Sequence, residues 1–240
     1  QNGYALVAVS DVVDKSSTGN DAGIPTKKYK GLQNQGATCY LNSLIQTLYM
    51  TPEFRSILYS WSYKEAEDKF NKEYCIPLQL QILFGCLQTS MRRVISTKGL
   101  THSFNWHSNE VAYQQDIQEF WRVLFHAIEE SFKSINRPCQ INELYQGGMS
   151  DYLKCTECGY ERNIFTEFLD LSLPIHDPFN NINNNSLEEA LSNYVKPEVL
   201  DNENKYEWSG CNKKVRAVKG LIFEKLPKVL VIQLNRFTYN

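Results

Sequence analysis

The sequence predicts an α+β fold with a helical first half and a sheet-rich second half. Apolar residues recur at helical spacing in three segments before about residue 130, whereas later segments alternate with a period of two. The 240 residues are 42% hydrophobic and 22% charged, which is typical of a globular chain that buries a substantial core. We therefore divide the chain into an N-terminal flank (1–30), a helical region (31–135) and a sheet-rich region (136–240).

The helices follow from apolar stripes. The flank is polar around "DKSSTGNDAG", and the first helix is predicted over 40–50, with Pro52 marking its end. A second helix is predicted over 76–88. The third stripe is the longest and comprises Ile117, Phe120, Trp121, Leu124, Phe125 and Ile128.

The second half carries strand and turn signals. In "FLDLSLPI", Leu169, Leu171 and Leu173 are expected to share one strand face. The asparagine-rich stretch "NNINNNS" predicts a loop that ends at Ser186, where Ser186 and Glu189 form a capping box that opens a short helix. The tail "KVLVIQLNRF" predicts a buried strand with no turn or cap after it. We therefore expect the polypeptide to continue past residue 240.

Composition narrows the function classes. A formal charge of −2 argues against sequence-independent nucleic-acid binding, and no run of about eighteen apolar residues predicts a membrane span. The N-terminus lacks the basic segment of a signal peptide. The seven cysteines are therefore expected to be thiols or metal ligands in a reducing compartment, the cytosol or the nucleus.

Cys39 lies in "QNQGATCYLNS", at the predicted start of the first helix. The free N–H groups and the dipole of a helix N-terminus stabilise a thiolate, which is the nucleophilic form of cysteine. Gly36 allows close approach of the backbone, and the Asn34 amide can donate a hydrogen bond to an oxyanion. An inert structural cysteine is the alternative that the residues alone leave open.

Four sequence segments, in the same order along the chain, resemble those of a known protein family. "GLQNQGATCYLNSLIQTLY" resembles the cysteine box of the ubiquitin-specific proteases, a papain-like family of deubiquitinases. "YQQDIQEFWRVLFHAIEE" is similar to the acidic helix of the family, "YLKCTECGYE" with "LDLSLPI" to its finger region, and "LPKVLVIQLNRF" to its palm strand. "MTPEFR" and "INELYQGGMSDYLKC" resemble the branch that includes the herpesvirus-associated enzyme.

This resemblance, which runs from about Lys30 to the end, implies a hand-like fold: a helical thumb, antiparallel β fingers and part of a palm. It implies that Cys39 is the nucleophile and Asn34 the oxyanion-hole side chain. It also implies that the arginine-bearing tail of ubiquitin is held by the side chains of the acidic helix, Gln115, Asp116 and Glu119. From the residues alone, the two carboxylates are equally consistent with a charged helix start. Trp121 and Phe125 are predicted to lie in the core.

The predicted finger carries an incomplete metal-ligand set. Cys155 and Cys158 form C-x-x-C, one half of a zinc knuckle, and Cys211 lies in a later segment where Trp208 replaces the fourth cysteine. His176 has no ligand-like spacing. We therefore expect a degenerate site and a finger that holds without zinc or another cofactor. A finger that binds zinc, with His176 as the fourth ligand, is the less favoured alternative. The other thiols, Cys75, Cys86 and Cys139, are predicted to be structural.

A cysteine peptidase also needs a general base and a group that orients it. The four histidines are His102, His107, His126 and His176, and none lies in the glycine–x–histidine–tyrosine box of the family. By the resemblance that box follows the palm strand, so we expect the catalytic histidine and its Asp or Asn partner outside 1–240. Asn235 stands where the family usually has lysine, a departure expected to matter little.

These features favour a thiol protease that acts as a monomer and cleaves after the terminal glycine of ubiquitin, on ubiquitinated proteins. A catalytically inactive module that only binds ubiquitin is the alternative. An intact Cys39 with Asn34 favours the enzyme, and the incomplete ligand set argues against a zinc-dependent adaptor.

Overall fold

The computed structural model of the protein describes residues 29–63, 71–106, 116–134, 140–177 and 182–235. The chain divides into two compact units, one ending at Gln140 and the other beginning at Ile141. The fold class is α+β, as the sequence predicts. Among the described residues, no helix has the length and apolar character needed to cross a bilayer.

The first unit is helical. Its helices are α1 (Cys39–Met50), α2 (Pro52–Ser60), α3 (Ile76–Thr89), α4 (Lys98–Ser103) and α5 (Ile117–Ser134), with a 3-10 turn at Lys72–Tyr74. Two short strands, β1 (Gly31–Leu32) and β2 (Val94–Ile95), pair in parallel. The three helices predicted from apolar periodicity are confirmed as α1, α3 and α5.

The prediction that Pro52 marks the end of the first helix is confirmed, because that helix ends at Met50. Pro52 also opens α2, a helix that the sequence analysis does not predict. Proline is favoured in the first turn of a helix, because the N–H group that it lacks would have no partner there.

Buried leucine, isoleucine and aromatic side chains from the helices form the core of this unit. Trp121 and Phe125 are 3% exposed and lie with ring centroids 4.0 Å apart, which confirms their predicted place in the core. Ile117 differs, since it is 38% exposed at the first position of α5. The buried amide of Gln81 donates hydrogen bonds of 2.7 Å to two carbonyls, those of Leu58 and Trp61, where α2 ends. These bonds satisfy carbonyls that a helix end otherwise leaves without partners.

The second unit contains most of the strands. It begins with α6 (Ile141–Tyr145) and includes α7 (Leu187–Tyr194) and a 3-10 turn at Asn202–Asn204. Its strands are β3 (Gly147–Cys155), β4 (Glu161–Phe168), β5 (Leu171–Pro174), β6 (His176–Asp177), β7 (Ile182–Asn183), β8 (Glu198–Leu200), β9 (Tyr206–Trp208), β10 (Lys213–Val215), β11 (Ala217–Lys225) and β12 (Ile232–Asn235).

Strands β4, β3, β11 and β8 form an antiparallel sheet in that order, and β9 with β10 forms a hairpin. Strand β12 pairs in parallel with β5. In β5, Leu171 and Leu173 are buried, as the alternation predicts, whereas Leu169 precedes the strand and is half-buried. The predicted tail strand is confirmed at β12. Its burial is not, because β12 is half-buried to exposed and, within the described residues, has a single neighbouring strand.

The predicted capping box opens α7. Ser186 Oγ accepts a hydrogen bond of 3.1 Å from the Glu189 N–H. The Glu189 carboxylate accepts the Asn185 N–H at 2.8 Å, one residue before the position that the reciprocal pattern predicts.

Candidate active site

Cys39 is the first residue of α1 and its thiol is exposed. The preceding Thr38 stands at the N-cap position, but its side chain makes no capping hydrogen bond to the helix, and the first turn contains no acidic residue. The N–H groups of a helix start carry the positive end of the helix dipole. At α1 no carboxylate of the helix itself offsets this dipole, so the helix start favours an anionic group bound beside Cys39.

Asn34 is held in one orientation by three hydrogen bonds. Its Oδ1 accepts the N–H groups of Gly36 at 3.2 Å and Thr38 at 3.1 Å, and the Thr38 hydroxyl at 3.1 Å. Because two of these donors are backbone N–H groups, the accepting atom has to be the amide oxygen. The Nδ2 group therefore points away from these donors, and no hydrogen bond engages it among the described residues. The predicted oxyanion donor is thus a fixed N–H₂ group five residues before the nucleophile.

The loop that carries Asn34 is anchored to a neighbouring segment. The Gln33 N–H donates to the carbonyl of Ile95 at 2.8 Å. The side chain of Gln35 donates to the hydroxyls of Thr97 at 2.8 Å and Thr101 at 3.1 Å, both of which are buried. These bonds join positions more than 60 residues apart and hold the loop before Cys39 in place.

Gly36 has a φ of 128°, in a region that side-chain-bearing residues rarely adopt. The sequence analysis expects Gly36 to allow close approach of the backbone, and its positive φ gives a further reason for glycine at this position. Thr38 is fully buried, and its hydroxyl also accepts the Gln35 N–H at 3.0 Å.

Tyr40, the residue after Cys39, is buried beneath the start of α1. Its ring lies 6.5 Å, centroid to centroid, from both Trp106 and Phe120. Burial raises the pKa of the Tyr40 hydroxyl, and the charge of the neighbouring Cys39 raises it further. Cys39 therefore lies at the surface above an aromatic cluster.

The acidic residues lie at the start of α5. Asp116 Oδ1 accepts the Gln118 N–H at 2.7 Å, so Asp116 caps this helix. Asp116 and Glu119 are both exposed, and Glu119 has no hydrogen bond or ion pair within the described part of the chain. Gln115 lies outside the described residues. The alternative of a charged helix start thus accounts for one oxygen of Asp116 and leaves the Glu119 carboxylate open to a partner.

No hydrogen bond joins the loop before Cys39 to His102 or His126, the described histidines of the first unit. The ring of His102 lies 4.9 Å from that of Tyr74, centroid to centroid. His126 and His176 are exposed on α5 and β6, and His107 lies outside the described residues. Within the described part of the first unit, the loop therefore presents an exposed thiol and an oriented amide without a hydrogen-bonded histidine.

The three predicted ligand cysteines meet at one end of the second unit. The sulfur atoms of Cys155, Cys158 and Cys211 all lie within 4.8 Å of one another. A hydrogen bond from the backbone N–H of Cys158 lowers the pKa of the Cys155 thiol. The Cys158 and Cys155 sulfurs, together with burial, raise the pKa of Cys211 to about 11.

This donor set does not fit the tetrahedral zinc site of a four-cysteine knuckle. Trp208, three residues before Cys211, is 6% exposed and packs with Cys155 and Val215 in a small core. An indole offers no metal-binding lone pair. His176 is not part of the cluster. Of the cysteines predicted to be structural, Cys75 is buried, Cys86 is half-buried, and Cys139 lies outside the described residues.

Sequence reasoning missed the residues that support the nucleophile loop. Thr38 had a local signal, because a threonine directly before a helix is a frequent N-cap. Gln35, Thr97 and Thr101 had none, since their hydrogen bonds join the loop to a segment about 60 residues later.

Comparisons with known proteins show the family to which the chain belongs. The family model described as ubiquitin carboxyl-terminal hydrolase matches residues 30–240. The chain is 46% identical over 231 residues to ubiquitin carboxyl-terminal hydrolase 47 of Xenopus laevis, a match that covers 96% of this chain and 16% of the relative. It is 42% identical to ubiquitin carboxyl-terminal hydrolase 40 of Homo sapiens, with 88% of this chain and 17% of the relative covered. The chain thus spans about a sixth of the length of the curated relatives that it matches.

Proposed function

Because the chain belongs to the ubiquitin carboxyl-terminal hydrolase family, we propose that the protein is a thiol-dependent hydrolase that cleaves the peptide or isopeptide bond after the C-terminal glycine of ubiquitin. The observation that carries this proposal is the pairing of an exposed Cys39 at the start of α1 with an Asn34 amide whose donor group is fixed by three hydrogen bonds.

The proposed chemistry begins with the Cys39 thiolate. Its sulfur attacks the carbonyl carbon of the terminal glycine, and the carbonyl oxygen becomes an oxyanion that accepts a hydrogen bond from Asn34 Nδ2. The C–N bond then breaks, the leaving amine takes a proton from the general acid, and an acyl-enzyme remains on Cys39. Water hydrolyses this thioester and restores the thiol. The proton carrier is proposed to be the histidine of the family box, outside residues 1–240.

The exposed carboxylates at the start of α5 support the proposed substrate. The tail of ubiquitin carries two arginines before its terminal glycines, and a guanidinium pairs with a carboxylate through two parallel hydrogen bonds. Glu119 has no partner among the described residues, and Asp116 uses one oxygen for its cap. We assign both to binding of the tail, with Gln115 beside them on the strength of the family resemblance.

The remaining proposals concern the cellular compartment and the partners of the protein. All described cysteines are free thiols, which supports a reducing compartment, the cytosol or the nucleus. We propose ubiquitin and ubiquitinated proteins as partners of a monomer, with no role for nucleic acid or membrane.

The test uses the intact protein and a ubiquitin with a C-terminal electrophile. We expect one covalent adduct, mapped by peptide mass spectrometry to Cys39, and none in Cys39→Ala. The matched control is Cys86→Ser, which removes a half-buried thiol outside the site and should label like the wild type. If the wild type and Cys39→Ala both fail to label but bind ubiquitin, the protein is a binding module and not a hydrolase.

A further inference from the structure

The cysteine cluster of the second unit is a built feature that the proposed hydrolase function does not use. Cys155 ends β3, Cys158 lies in the turn that follows, and Cys211 lies in the turn of the β9–β10 hairpin. The first turn is closed by hydrogen bonds from the Gly159 N–H to the Cys155 carbonyl at 3.1 Å and from the Cys155 N–H to the Tyr160 carbonyl at 2.9 Å. Two segments more than 50 residues apart therefore converge their sulfur atoms.

Trp208 holds the hairpin where a fourth ligand would otherwise stand. Its ring makes edge contacts with Tyr160 at 5.6 Å and Tyr206 at 5.7 Å between centroids. The backbone carbonyl of residue 208 accepts the Cys211 N–H at 3.1 Å, a bond that closes the turn carrying the third sulfur. The apolar packing of Trp208 with Cys155 and Val215 supplies the cohesion that a metal supplies in a four-cysteine knuckle.

The three sulfurs are close enough together to bind one ion. Metal–thiolate bonds of about 2.3 Å set three sulfurs around one ion about 4 Å apart, which lies within the 4.8 Å limit of the cluster. Cys155 is buried against Trp208, whereas Cys158 is exposed and gives an entry path. A soft ion is favoured by an all-sulfur donor set, and Zn²⁺ in a structural site requires a fourth ligand.

From this arrangement we propose that Cys155, Cys158 and Cys211 form a three-thiolate site that binds one Cu(I) ion in preference to Zn²⁺, with Trp208 closing the fourth position. Binding forms three metal–sulfur bonds and releases to solvent whatever protons the thiols carry, with no change in oxidation state.

The test is an anaerobic titration of the reduced, intact protein with Cu(I) against bathocuproine disulfonate as a competing chelator. We expect the affinity of the cluster for Cu(I) to be lower by roughly 100-fold or more in Cys158→Ser than in the wild type. In competition with the chelator, the wild type should therefore bind one equivalent of Cu(I) more than the variant. Cys158 is exposed, so its replacement by serine should leave the fold intact, as circular dichroism and urea unfolding can verify. Cys86→Ser, which removes a thiol outside the cluster, should titrate like the wild type.

A parallel titration with Zn²⁺ tests the role of Trp208. Zn²⁺ binding should be the same in wild type and Cys158→Ser, whereas Trp208→Cys should gain one Zn²⁺ equivalent. Equal copper binding by wild type and Cys158→Ser, or loss of tight Zn²⁺ binding on changing Cys158, would overturn the proposal. Neither outcome depends on labelling of Cys39, so this site and the proposed hydrolase can fail separately.

Discussion

The starts of α1 and α5 are two helix N-termini of the first unit that differ in capping and in acidic residues. At α1 no side chain caps the helix, the first turn contains no acid, and the first residue is the exposed Cys39. At α5 the carboxylate of Asp116 accepts an N–H of the first turn, and Glu119 adds a second acid. One helix start is left available to a negative charge from outside its own sequence, and the other already has its own.

The difference shows how a common physical property serves two purposes. A helix N-terminus stabilises nearby negative charge by roughly 0.3–1 kcal/mol when exposed. At α1 we propose that this stabilisation acts on the oxyanion that forms beside Cys39 in the proposed reaction. At α5 the positive end of the dipole faces the Asp116 carboxylate, whose Oδ1 accepts the Gln118 N–H. Its other oxygen and the exposed Glu119 carboxylate are the groups that we propose bind the tail of ubiquitin.

The largest effect is expected when a carboxylate is placed beside the start of α1. In Asn34→Asp one oxygen still accepts the three hydrogen bonds from Gly36 and Thr38, but a negative oxygen replaces the Nδ2 donor. We expect kcat for cleavage of a fluorogenic C-terminal ubiquitin amide to fall by about 10²–10³-fold or more. Urea unfolding should show a change in stability below about 1 kcal/mol.

The companion variant Asn34→Ala separates the two roles of this side chain. It loses the donor and also leaves Thr38 without its acceptor, so the loss of rate should be accompanied by destabilisation of about 1–3 kcal/mol. An Asn34→Asp enzyme that turns over within threefold of the wild type would show that Asn34 only shapes the loop.

The opposite change removes the charge from α5. Asp116→Asn retains a side chain of nearly equal capping strength but loses the carboxylate proposed to bind the arginines of ubiquitin. We expect Kd for ubiquitin, measured by calorimetry, to rise about tenfold, or about 1.4 kcal/mol.

Glu130→Gln is the matched control for that charge change. Glu130 is an exposed carboxylate in the last turn of the same helix and pairs with Lys133. Its replacement should leave Kd unchanged. Unchanged affinity in Asp116→Asn as well would mean that the acids at the start of α5 are merely solvated.

The contrast between the two helix starts also explains what the sequence could predict. Cys39, Asn34 and the acids could be proposed from the sequence because their signals are local: a helix start, a turn glycine, an i, i+3 pair. The bonds that fix Asn34 are local too, but their direction depends on a turn in which Gly36 has a positive φ. Single-sequence periodicity does not specify such a backbone.

The long-range hydrogen bonds that hold the loop before Cys39 could not be predicted for a different reason. Gln35 reaches Thr97 and Thr101 only after the chain has folded, and no spacing encodes a contact between positions 62 and 66 residues apart. The same holds for β12, whose apolar sequence predicts burial although the described residues give it one neighbouring strand, β5. Periodicity reports which side chains are apolar, whereas burial depends on what packs against them.

The start of α7 is a third case, in which a hydroxyl and a carboxylate both cap the helix. At α7 the Ser186 hydroxyl accepts the Glu189 N–H, and the Glu189 carboxylate reaches back to Asn185. Ser186→Ala should destabilise the protein by about 1 kcal/mol, measured by urea unfolding. Ser43→Ala is the control, because that exposed hydroxyl only bonds the carbonyl of Cys39 within α1, and its loss should change stability by less than about 0.5 kcal/mol.

The smallest effect concerns the charge at this third helix start. A hydrogen bond from its own backbone N–H, with a further one from Ser186, holds the pKa of Glu188 below its ordinary value of 4.5. A carboxyl group with a lower pKa in the folded state contributes stability above 4.5 and loses it as the pH falls through the folded-state pKa. Glu188→Gln should therefore be slightly less stable than the wild type at pH 7, and this difference should disappear in unfolding curves recorded at progressively lower pH below 4.5. A difference that persists unchanged in acid would assign the effect to packing or helix propensity, and the start of α7 would then resemble α1 in holding no useful negative charge of its own.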